Sequence, residues 1–317
     1  MKTIYLNASE LPSDEMLPCV ATVGFFDGVH RGHTYLIDKV IEHAKAEGLL
    51  SVVVTFDKHP RQVLQQEYRP DLLCTLDSKL LLLSKTGIDQ VVVLRFDEEL
   101  ARLSARDFMF KILKEKLNAR KLIVGYDNRF GHHRTEGIDD YIRYGREMDM
   151  EVIRCQNFVL NDMNVSSSVV RKLISRGEME LANQCLGYPY TIAGIVKEGE
   201  QEGRKIGFPT ANLDTSAFGQ LIPAPGVYAV KARLMQSVAT KPAMMNIGHR
   251  PTFGGTKLSL ETHIFNFDED IYGQLLLVSF MYRIREEQKF DTVEELQAQL
   301  QEDQAQVLRQ FDQENEL

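Results

Sequence analysis

The sequence predicts an α/β domain with a parallel sheet, followed by an antiparallel β-barrel that ends in a helix. In the first half, apolar strand-like runs alternate with helical segments, as in a parallel sheet with crossover helices. Beyond residue 187, short strands alternate with Gly and Pro turns and no helices intervene, which is typical of a barrel or sandwich. A chain of 317 residues with 44% hydrophobic content is long enough for two cores. We place the domain boundary between residues 184 and 185, giving domains 1–184 and 185–317.

Strands and helices are expected in regular order along the first half. The predicted strands are 19–23, 49–56, 90–96, 121–126 and 150–155. The predicted helices are 34–47, 77–86, 104–117, 138–148, 167–176 and 178–186. The last two helices close the first domain, and the serines at 166–168 are candidate caps for the first of them.

The second half is expected to contain a series of strands and one helix. The predicted strands are 191–199, 226–235, 242–248, 257–267 and 274–285. From Thr292 onward, apolar residues recur with helical spacing. This spacing predicts an amphipathic C-terminal helix that packs on the barrel.

Composition excludes several classes of protein. The chain has 45 acidic and 37 basic residues and a formal net charge of −8, which argues against general binding of nucleic acids or membrane surfaces. Its four cysteines are far apart, so neither disulfides nor a zinc site is expected. No segment approaches the about 18 consecutive apolar residues of a membrane span, and the N-terminus shows no targeting pattern. We expect a soluble, cytoplasmic protein.

The strongest local signal is the strand-to-helix turn VGFFDGVHRGH at residues 23–33. Turns at the carboxyl ends of parallel strands bind ligands, and the free N–H groups at the start of a helix bind phosphate. The glycines fit neither a dinucleotide fingerprint nor a P-loop. His30 and His33, at i and i+3, lie on one side of a helix and can donate hydrogen bonds to a phosphate during displacement at phosphorus. Taken alone, such a histidine pair would more often be incidental than functional.

The string at 23–33 resembles the GxFDGxHxGH pattern of bacterial bifunctional riboflavin kinase/FMN adenylyltransferases, also called bifunctional FAD synthetases. Three further segments resemble that family: TFDKHP at 55–60, GYDNRFG at 125–131 and SSSVVR at 166–171. The chain departs from the family pattern at Lys58, Asn128 and Ser168, where proline, an aromatic residue and threonine are usual. An amide at position 128 could bond a phosphate, and Ser168 keeps the hydroxyl group.

This resemblance implies a Rossmann-like nucleotidyltransferase domain in which an FMN phosphate oxygen attacks the α-phosphorus of ATP. Pyrophosphate leaves, FAD forms, and Mg²⁺ helps to neutralise charge. The implied catalytic residues are His30, His33 and Arg171. The implied nucleotide- and phosphate-binding residues are Gly24, Phe25, Asp27, Gly28, Ser167 and Ser168. The implied flavin-binding residues are His59, Asp127 and Asn128. Asp27 either anchors the turn or assists the metal indirectly, and we favour the anchor.

The barrel half contains GRKIGFPTAN at residues 203–212, which resembles the riboflavin kinase string GRxxGFPTAN. Composition alone would make this segment an ordinary hairpin connection. Backbone N–H groups around Gly203, Arg204 and Gly207 can cradle phosphate as a nest. The Thr210 hydroxyl and the Asn212 amide oxygen are hard ligands that suit Mg²⁺.

The same resemblance implies that the barrel transfers a phosphoryl group from ATP to riboflavin, giving FMN and ADP. Such a transfer needs a carboxylate within reach of the attacking hydroxyl, and Glu261 matches the family's strand glutamate. The segment NIGHRPTF at 246–253 places Asn246 and Arg250 at the flavin pocket. His263 is expected to be structural. The arginines at 283 and 285 are expected to belong to a solvated charge cluster, and the alternative is that one of them approaches the flavin.

Three alternatives stay open at the level of sequence. The first alternative is that only one module is active. The second is that the chain is a different nucleotidyltransferase whose barrel only binds a partner. The third is that the chain is a flavin-binding regulator with inactive sites. The GFPTAN string opposes the second alternative, and the intact histidines and Glu261 oppose the third. Weak self-association is a further expectation that the sequence does not test.

Overall fold

The structure is a computed structural model that describes residues 1–8, 16–64, 71–126, 128–132, 135–199, 202–252 and 255–315. The chain divides into two compact units. One comprises Met1–Pro70 and Thr75–Ser167, and the other comprises Asp71–Cys74 and Ser168–Leu317. The first unit is built on a parallel sheet and the second on a closed antiparallel barrel, so the predicted fold class is confirmed.

The sheet of the first unit has six strands, all parallel, in the order β1-β4-β3-β2-β5-β6. They are β1 Lys2–Leu6, β2 Cys19–Val23, β3 Leu50–Phe56, β4 Gln90–Leu94, β5 Ala119–Val124 and β6 Glu151–Arg154. Central strands such as β2 are buried along their whole length, which explains why they appear in the sequence as continuous apolar runs. The edge strand β1 is only partly buried, lacks such a run and was not predicted.

Helices cover both faces of this sheet. They are α1 Arg31–Glu47, α2 Pro60–Leu64, α3 Leu76–Ser84, α4 Glu98–Arg102, α5 Ala105–Asp107, which continues as a π-helix over Phe108–Lys116, and α6 Ile138–Glu147. Helix α1 buries Leu36, Ile37, Val40 and Ala44, the residues at helical spacing in the sequence. The five-residue helices α2 and α4 were not predicted, because segments this short carry no apolar period. A hairpin of β7 Val159–Leu160 and β8 Met163–Asn164 follows β6.

The second unit is a closed barrel with the strand order β10-β13-β12-β11-β14-β9. Its strands are β9 Thr191–Lys197, β10 Ala211–Asp214, β11 Gly226–Leu234, β12 Lys241–Thr252, β13 Gly255–Ile264 and β14 Leu275–Arg285. Its helices are α7 Ser167–Arg176, α8 Met179–Leu186, α9 Glu202–Lys205 and α10 Val293–Asn315. Strand β10 begins with the last two residues of the GFPTAN motif and was not predicted as a strand.

Helices α7 and α8 group with the barrel, whereas the sequence placed them in the first domain. The reason is visible at Asn183 of α8. Its Nδ2 donates to Phe280 O at 2.8 Å on β14, and its Oδ1 accepts from Tyr190 N at 2.8 Å. These bonds tie α8 to the barrel wall.

The predicted C-terminal helix is present and packs on the barrel. Val307 and Phe311 of α10 are buried in one cluster with Phe208, Met244 and Phe265. All four cysteines are free and buried, and burial raises the pKa of the Cys19 thiol to about 12. None of the helices in the described part of the chain is long and apolar enough to cross a membrane.

Two candidate active sites

The turn after β2 has an unusual backbone. Gly28 has a φ of 74°, and the non-glycine residues Phe26 and Val29 have φ values of 53° and 35°. A left-handed conformation at such residues costs roughly 1–3 kcal/mol and is typical of functional sites. The turn leads into His30, whose Nδ1 caps α1 by accepting from His33 N at 3.3 Å.

The two histidines of the motif lie together. Their rings stack with centroids 3.6 Å apart, and the Phe26 ring meets the edge of His33 at 5.0 Å. Gly32 follows His30 at a crowded position, because a side chain there would collide with Val165 O and crowd the His30 ring. The structure thus brings His30 and His33 into the paired arrangement that the sequence predicts.

The surroundings of the His33 ring disfavour its charged form. Its Nδ1 is buried without a hydrogen-bond partner among the described residues. Burial, the neighbouring His30 and the positive charge of Lys79 together hold the pKa of His33 well below its ordinary value of 6.5. An unpartnered buried ring nitrogen is costly, and a bound phosphate would both hydrogen-bond the ring and favour its protonation.

The serine segment reaches this turn through Ser167, whose Oγ donates to Asp27 O at 3.1 Å. Asp27 itself is buried, in agreement with the anchoring role that we favour. Ser168 and Arg171 belong to the second unit, where Arg171 Nε donates to Asp71 O at 2.9 Å. Their binding of phosphate stays a prediction.

A cavity of about 420 Å³ adjoins the turn. Five phenylalanine side chains from separate elements line it: Phe25, Phe56, Phe96, Phe108 and Phe130. Flat apolar walls of this kind suit a flat aromatic ligand. Gly24 and Asn128 also line the cavity, and the Asn128 amide donates to Val23 O at the end of β2. Apart from Phe25, these phenylalanines were not singled out in the sequence.

A second cavity of about 340 Å³ shares a wall with the first. Asn128 and Arg129 line both cavities. Tyr126 and Arg154 line the smaller one, and the Arg154 guanidinium lies 4.5 Å from the centre of the Tyr126 ring. Two ligands in these cavities would therefore meet at Asn128 and Arg129.

The predicted flavin-binding residue His59 packs on Phe25. The His59 ring meets the edge of Phe25 at 4.9 Å, and its Nδ1 accepts from Arg61 N at 3.2 Å. It therefore supports the wall of the aromatic cavity through Phe25. Asp127 lies outside the described residues.

In the barrel, strand register brings together residues that are distant in sequence. Glu261 on β13 pairs with Asn212 on β10 and with Asn246 on β12. Directly opposed residues of antiparallel strands project to the same face, so the three polar side chains form one row. We call Asn212, Glu261 and Asn246 the barrel row. Strand register therefore places the predicted metal ligand, the predicted base and a predicted flavin-binding residue next to one another.

The barrel row adjoins a cavity of about 750 Å³. Asn246, Glu261, Gly203 and Thr210 line it on the barrel side, and α10 contributes apolar residues. Asn212 packs so close to Gly199 that a side chain at 199 would collide with its amide. The Arg250 side chain lies outside the described part of the structure, although its backbone belongs to β12.

A smaller cavity of about 230 Å³ lies on the other side of Thr210 and is also lined by Arg204. Thr210 is thus shared by both barrel cavities. The glycine segment beside it forms a helical turn, in which Gly207 N donates to Arg204 O at 3.3 Å and Phe208 N donates to Gly203 O at 2.8 Å. These two N–H groups are engaged within the turn, so they do not form an open nest. Phosphate binding by this segment stays a prediction.

His263 is buried on the same strand as Glu261. Its Nδ1 donates to Pro209 O at 2.7 Å, directly before Thr210. Burial lowers the pKa of His263, and this hydrogen bond opposes the shift only in part. This hydrogen bond agrees with the structural role expected from the sequence, which stays a prediction.

The predicted solvated charge cluster is wrong for Arg285. Its side chain is 14% exposed, and its guanidinium bonds both carboxylate oxygens of Asp303 on α10 at 2.8 to 3.1 Å. Asp303 is 2% exposed and also accepts from Gln299 Nε2 at 3.0 Å. The partner lies on an element distant in sequence, so composition near residue 285 gave no signal of it.

Comparison with known proteins assigns the two halves of the chain to two different family models. A family model described as FAD synthetase matches residues 13–169, and one described as riboflavin kinase matches residues 186–311. The bifunctional riboflavin kinase/FMN adenylyltransferase of Escherichia coli (strain K12) is 36% identical over 93% of this chain and 92% of its own length. The chain belongs to the bifunctional riboflavin kinase/FMN adenylyltransferase family.

Other relatives extend the match over nearly the whole chain. The family member from Bacillus subtilis (strain 168) is 34% identical over 98% of both chains. A crystal structure described as a macrolide-efflux protein from Streptococcus pneumoniae has a TM-score of 0.85 at 31% identity, covering 96% of this chain and 98% of the other. The fold of this family member is therefore shared along almost its full length.

Proposed function

We propose that the barrel unit phosphorylates riboflavin to FMN with ATP and that the first unit adenylylates FMN to FAD with a second ATP. One observation carries the proposal: each unit holds two adjoining cavities that share a polar wall. That wall is formed by Asn128 and Arg129 in the first unit and by Thr210 in the barrel. Two-substrate group transfer requires this arrangement, because both reactants must be held side by side.

In the first unit, the flavin ring occupies the aromatic cavity and ATP occupies the smaller one. The reacting phosphates then meet near Asn128, Arg129 and the turn that carries the histidines. An FMN phosphate oxygen forms a bond to the α-phosphorus of ATP, and the bond to the departing pyrophosphate breaks. His30 and His33 hydrogen-bond the charge that develops on the phosphate oxygens.

In the barrel, riboflavin occupies the larger cavity and ATP the smaller one. Glu261 accepts the proton of the ribityl hydroxyl, whose oxygen bonds to the γ-phosphorus while ADP leaves. Asn246, beside Glu261 in the barrel row, orients the flavin chain. The Arg204 side chain, which lines the smaller cavity, holds the ATP phosphates beside Gly203 and Gly207, whose turn fixes its position.

The donor set beside Glu261 fits Mg²⁺. The Thr210 hydroxyl and the Asn212 amide both offer hard oxygen ligands, and Asn212 is the direct strand neighbour of Glu261. When bound, Mg²⁺ would neutralise charge on the transferred phosphoryl group. We also propose that the residues that act on riboflavin lie within 185–317 and those that act on FMN within 1–184, and that the protein works in the cytoplasm.

One experiment tests both reactions. The pure protein is incubated with riboflavin, Mg²⁺ and ATP, and flavins and pyrophosphate are measured after chromatographic separation. We expect FMN to appear first, then FAD with stoichiometric pyrophosphate. FMN without FAD would show a silent first unit, and flavin binding without any product would show a regulator with inactive sites.

A further inference from the structure

The strand register that forms the barrel row continues across the next two strands of the wall. Asn246 on β12 pairs with Val227 on β11, and Val227 pairs with Arg285, the last residue of β14. Val227 and Arg285 line the larger barrel cavity together with Asn246 and Glu261. One continuous line of side chains therefore crosses the cavity wall from Glu261 to Arg285.

The length of this line is comparable with that of a flavin molecule. Glu261 and Arg285 are three strand spacings apart, which is roughly 14 Å along the wall. With the ribityl hydroxyl at Glu261, a flavin that lies along the wall extends its ring system toward Arg285. That ring system has an apolar edge and a polar edge, and the polar edge carries two carbonyl oxygens. A hydrogen-bond donor at the far end of the line would recognise the polar edge.

Arg285 has such donors left over. A guanidinium carries one N–H group on Nε and two on each Nη. Nε and Nη2 of Arg285 donate to the Asp303 carboxylate, and Nη1 donates to Glu286 O at 3.2 Å. The second N–H group of Nη1 and that of Nη2 have no partner among the residues that the structure describes. Both are available to a ligand in the cavity.

The charges around Arg285 indicate which ligand groups it can bind. Asp303 balances the guanidinium charge through two oxygens, so the pair is close to neutral overall. The cavity is also lined by three further carboxylates and one ammonium group, those of Glu261, Glu287, Asp291 and Lys205. This lining disfavours an anionic ligand, whereas a neutral carbonyl oxygen can accept from the free N–H groups.

We propose that Arg285 is a substrate-binding residue of the FMN-forming site and that its free N–H groups donate to a carbonyl oxygen on the polar edge of the flavin ring. Phe290 lines the same cavity, and its ring centre lies 5.7 Å from the guanidinium carbon of Arg285, so it offers the flavin an apolar surface beside these donors. Asp303 is a positioning residue, because it fixes the plane of the guanidinium. This inference rests on the function proposed for the barrel.

The other arginine of the same strand provides a matched control. Arg283 Nη2 donates to Pro225 O, and Arg283 lines none of the cavities described above. The sequence left open which of the two arginines approaches the flavin, and the structure favours Arg285. Replacement of Arg283 by lysine makes the same chemical change two residues away from the proposed contact.

The first test compares Arg285→Lys with Arg283→Lys in the full chain. For each variant, kcat and the KM values for riboflavin and ATP are measured in FMN formation, and FAD formation from supplied FMN is measured on the same preparation. Lysine keeps a cation beside Asp303 but lacks the guanidinium fork. We therefore expect KM for riboflavin to rise by about 10-fold in Arg285→Lys, with kcat and KM for ATP retained. Arg283→Lys should keep the wild-type KM values, and neither variant should change FAD formation.

A second test separates a contact with the flavin from an effect on the cavity wall. Calorimetry measures the binding of riboflavin and of its two thio analogues, in which sulfur, a weaker acceptor, replaces one of the ring carbonyl oxygens. The proteins are the wild type, Arg285→Lys and the double variant Arg285→Met with Asp303→Leu, which leaves no buried charge unpaired. The wild type should bind one thio analogue about 10-fold more weakly than riboflavin, and both variants should bind the two ligands equally well.

Two results would overturn the inference. The first is a wild-type KM for riboflavin in Arg285→Lys. The second is a raised KM with undiminished discrimination against the thio analogue, because the arginine would then act only by shaping the wall. If the wild-type protein formed no FMN, the proposed function itself would fail, whereas the calorimetric comparison would still decide the role of Arg285.

Discussion

The two candidate sites are built differently. In the first unit, the proposed catalytic pair comes from one short stretch, and a strained turn orients His30 and His33 side by side. In the barrel, the barrel row comes from three strands, and their register places Asn212, Glu261 and Asn246 next to one another. The histidine pair therefore depends on local backbone geometry, whereas the barrel row depends on the pairing of strands throughout the barrel.

The largest expected effect comes from breaking the barrel row. Glu261→Gln removes the proton acceptor, so FMN formation should fall by roughly 10²-fold to 10⁴-fold, while FAD formation from supplied FMN continues. Rates of both reactions on one preparation test this prediction. Glu294→Gln on the exposed start of α10 is the control, and a loss of both activities in Glu261→Gln would contradict the separation of the sites.

The converse experiment breaks the local site. His33→Ala removes one donor to the developing charge, so FAD formation should fall by about 10²-fold to 10³-fold, with FMN formation retained. His43→Ala on the same helix should leave both rates unchanged. If His33→Ala formed FAD at the wild-type rate, our assignment of the first site would be wrong.

A third prediction concerns the stability of the barrel rather than its chemistry. Asp303→Asn leaves Arg285 buried without its carboxylate and should lower the free energy of unfolding by about 3–5 kcal/mol. Urea denaturation measures the change. The double variant Arg285→Met with Asp303→Leu should recover most of it, and equal instability of the single and double variants would count against an ion-pair effect.

The smallest predicted effect is a pH dependence of stability. The pKa of His33 is lowered on folding, so the unfolded chain takes up the proton first as the pH falls below about 6.5. The free energy of unfolding should therefore decrease in that range, by up to about 1.4 kcal/mol per pH unit, and be unaffected by His33 above it. His263 contributes with the same sign, so His33→Gln should reduce the slope in urea titrations without removing it.

Much of the fold was predictable because its signals are local. Buried parallel strands and amphipathic helices such as α1 carry their period in consecutive residues. The edge strand β1 and strand β10 were missed for a physical reason: one is half exposed, and the other has only four residues and begins at the end of a glycine-containing motif. Neither contains the apolar pattern on which such predictions depend.

The sites show the same limit. The histidine pair could be inferred from spacing, because i and i+3 residues share a helix face. No regular spacing in the sequence predicts the sites that form by contacts between distant elements, namely the cavity phenylalanines, Lys79 and the Arg285–Asp303 pair. Glu261 could be chosen only through family resemblance, since a charged residue on an alternating strand is usually just solvent-facing.

The pairing of Glu261 with its two neighbours has a consequence for refolding. A shift of one residue between β13 and either adjacent strand would turn the carboxylate to the opposite face of the barrel wall. Such a misaligned barrel could keep most of its backbone hydrogen bonds and its circular dichroism, yet it would be unable to make FMN. Recovery of FMN synthesis after dilution from denaturant would thus time the alignment of these strands, which spectroscopy of secondary structure would not detect.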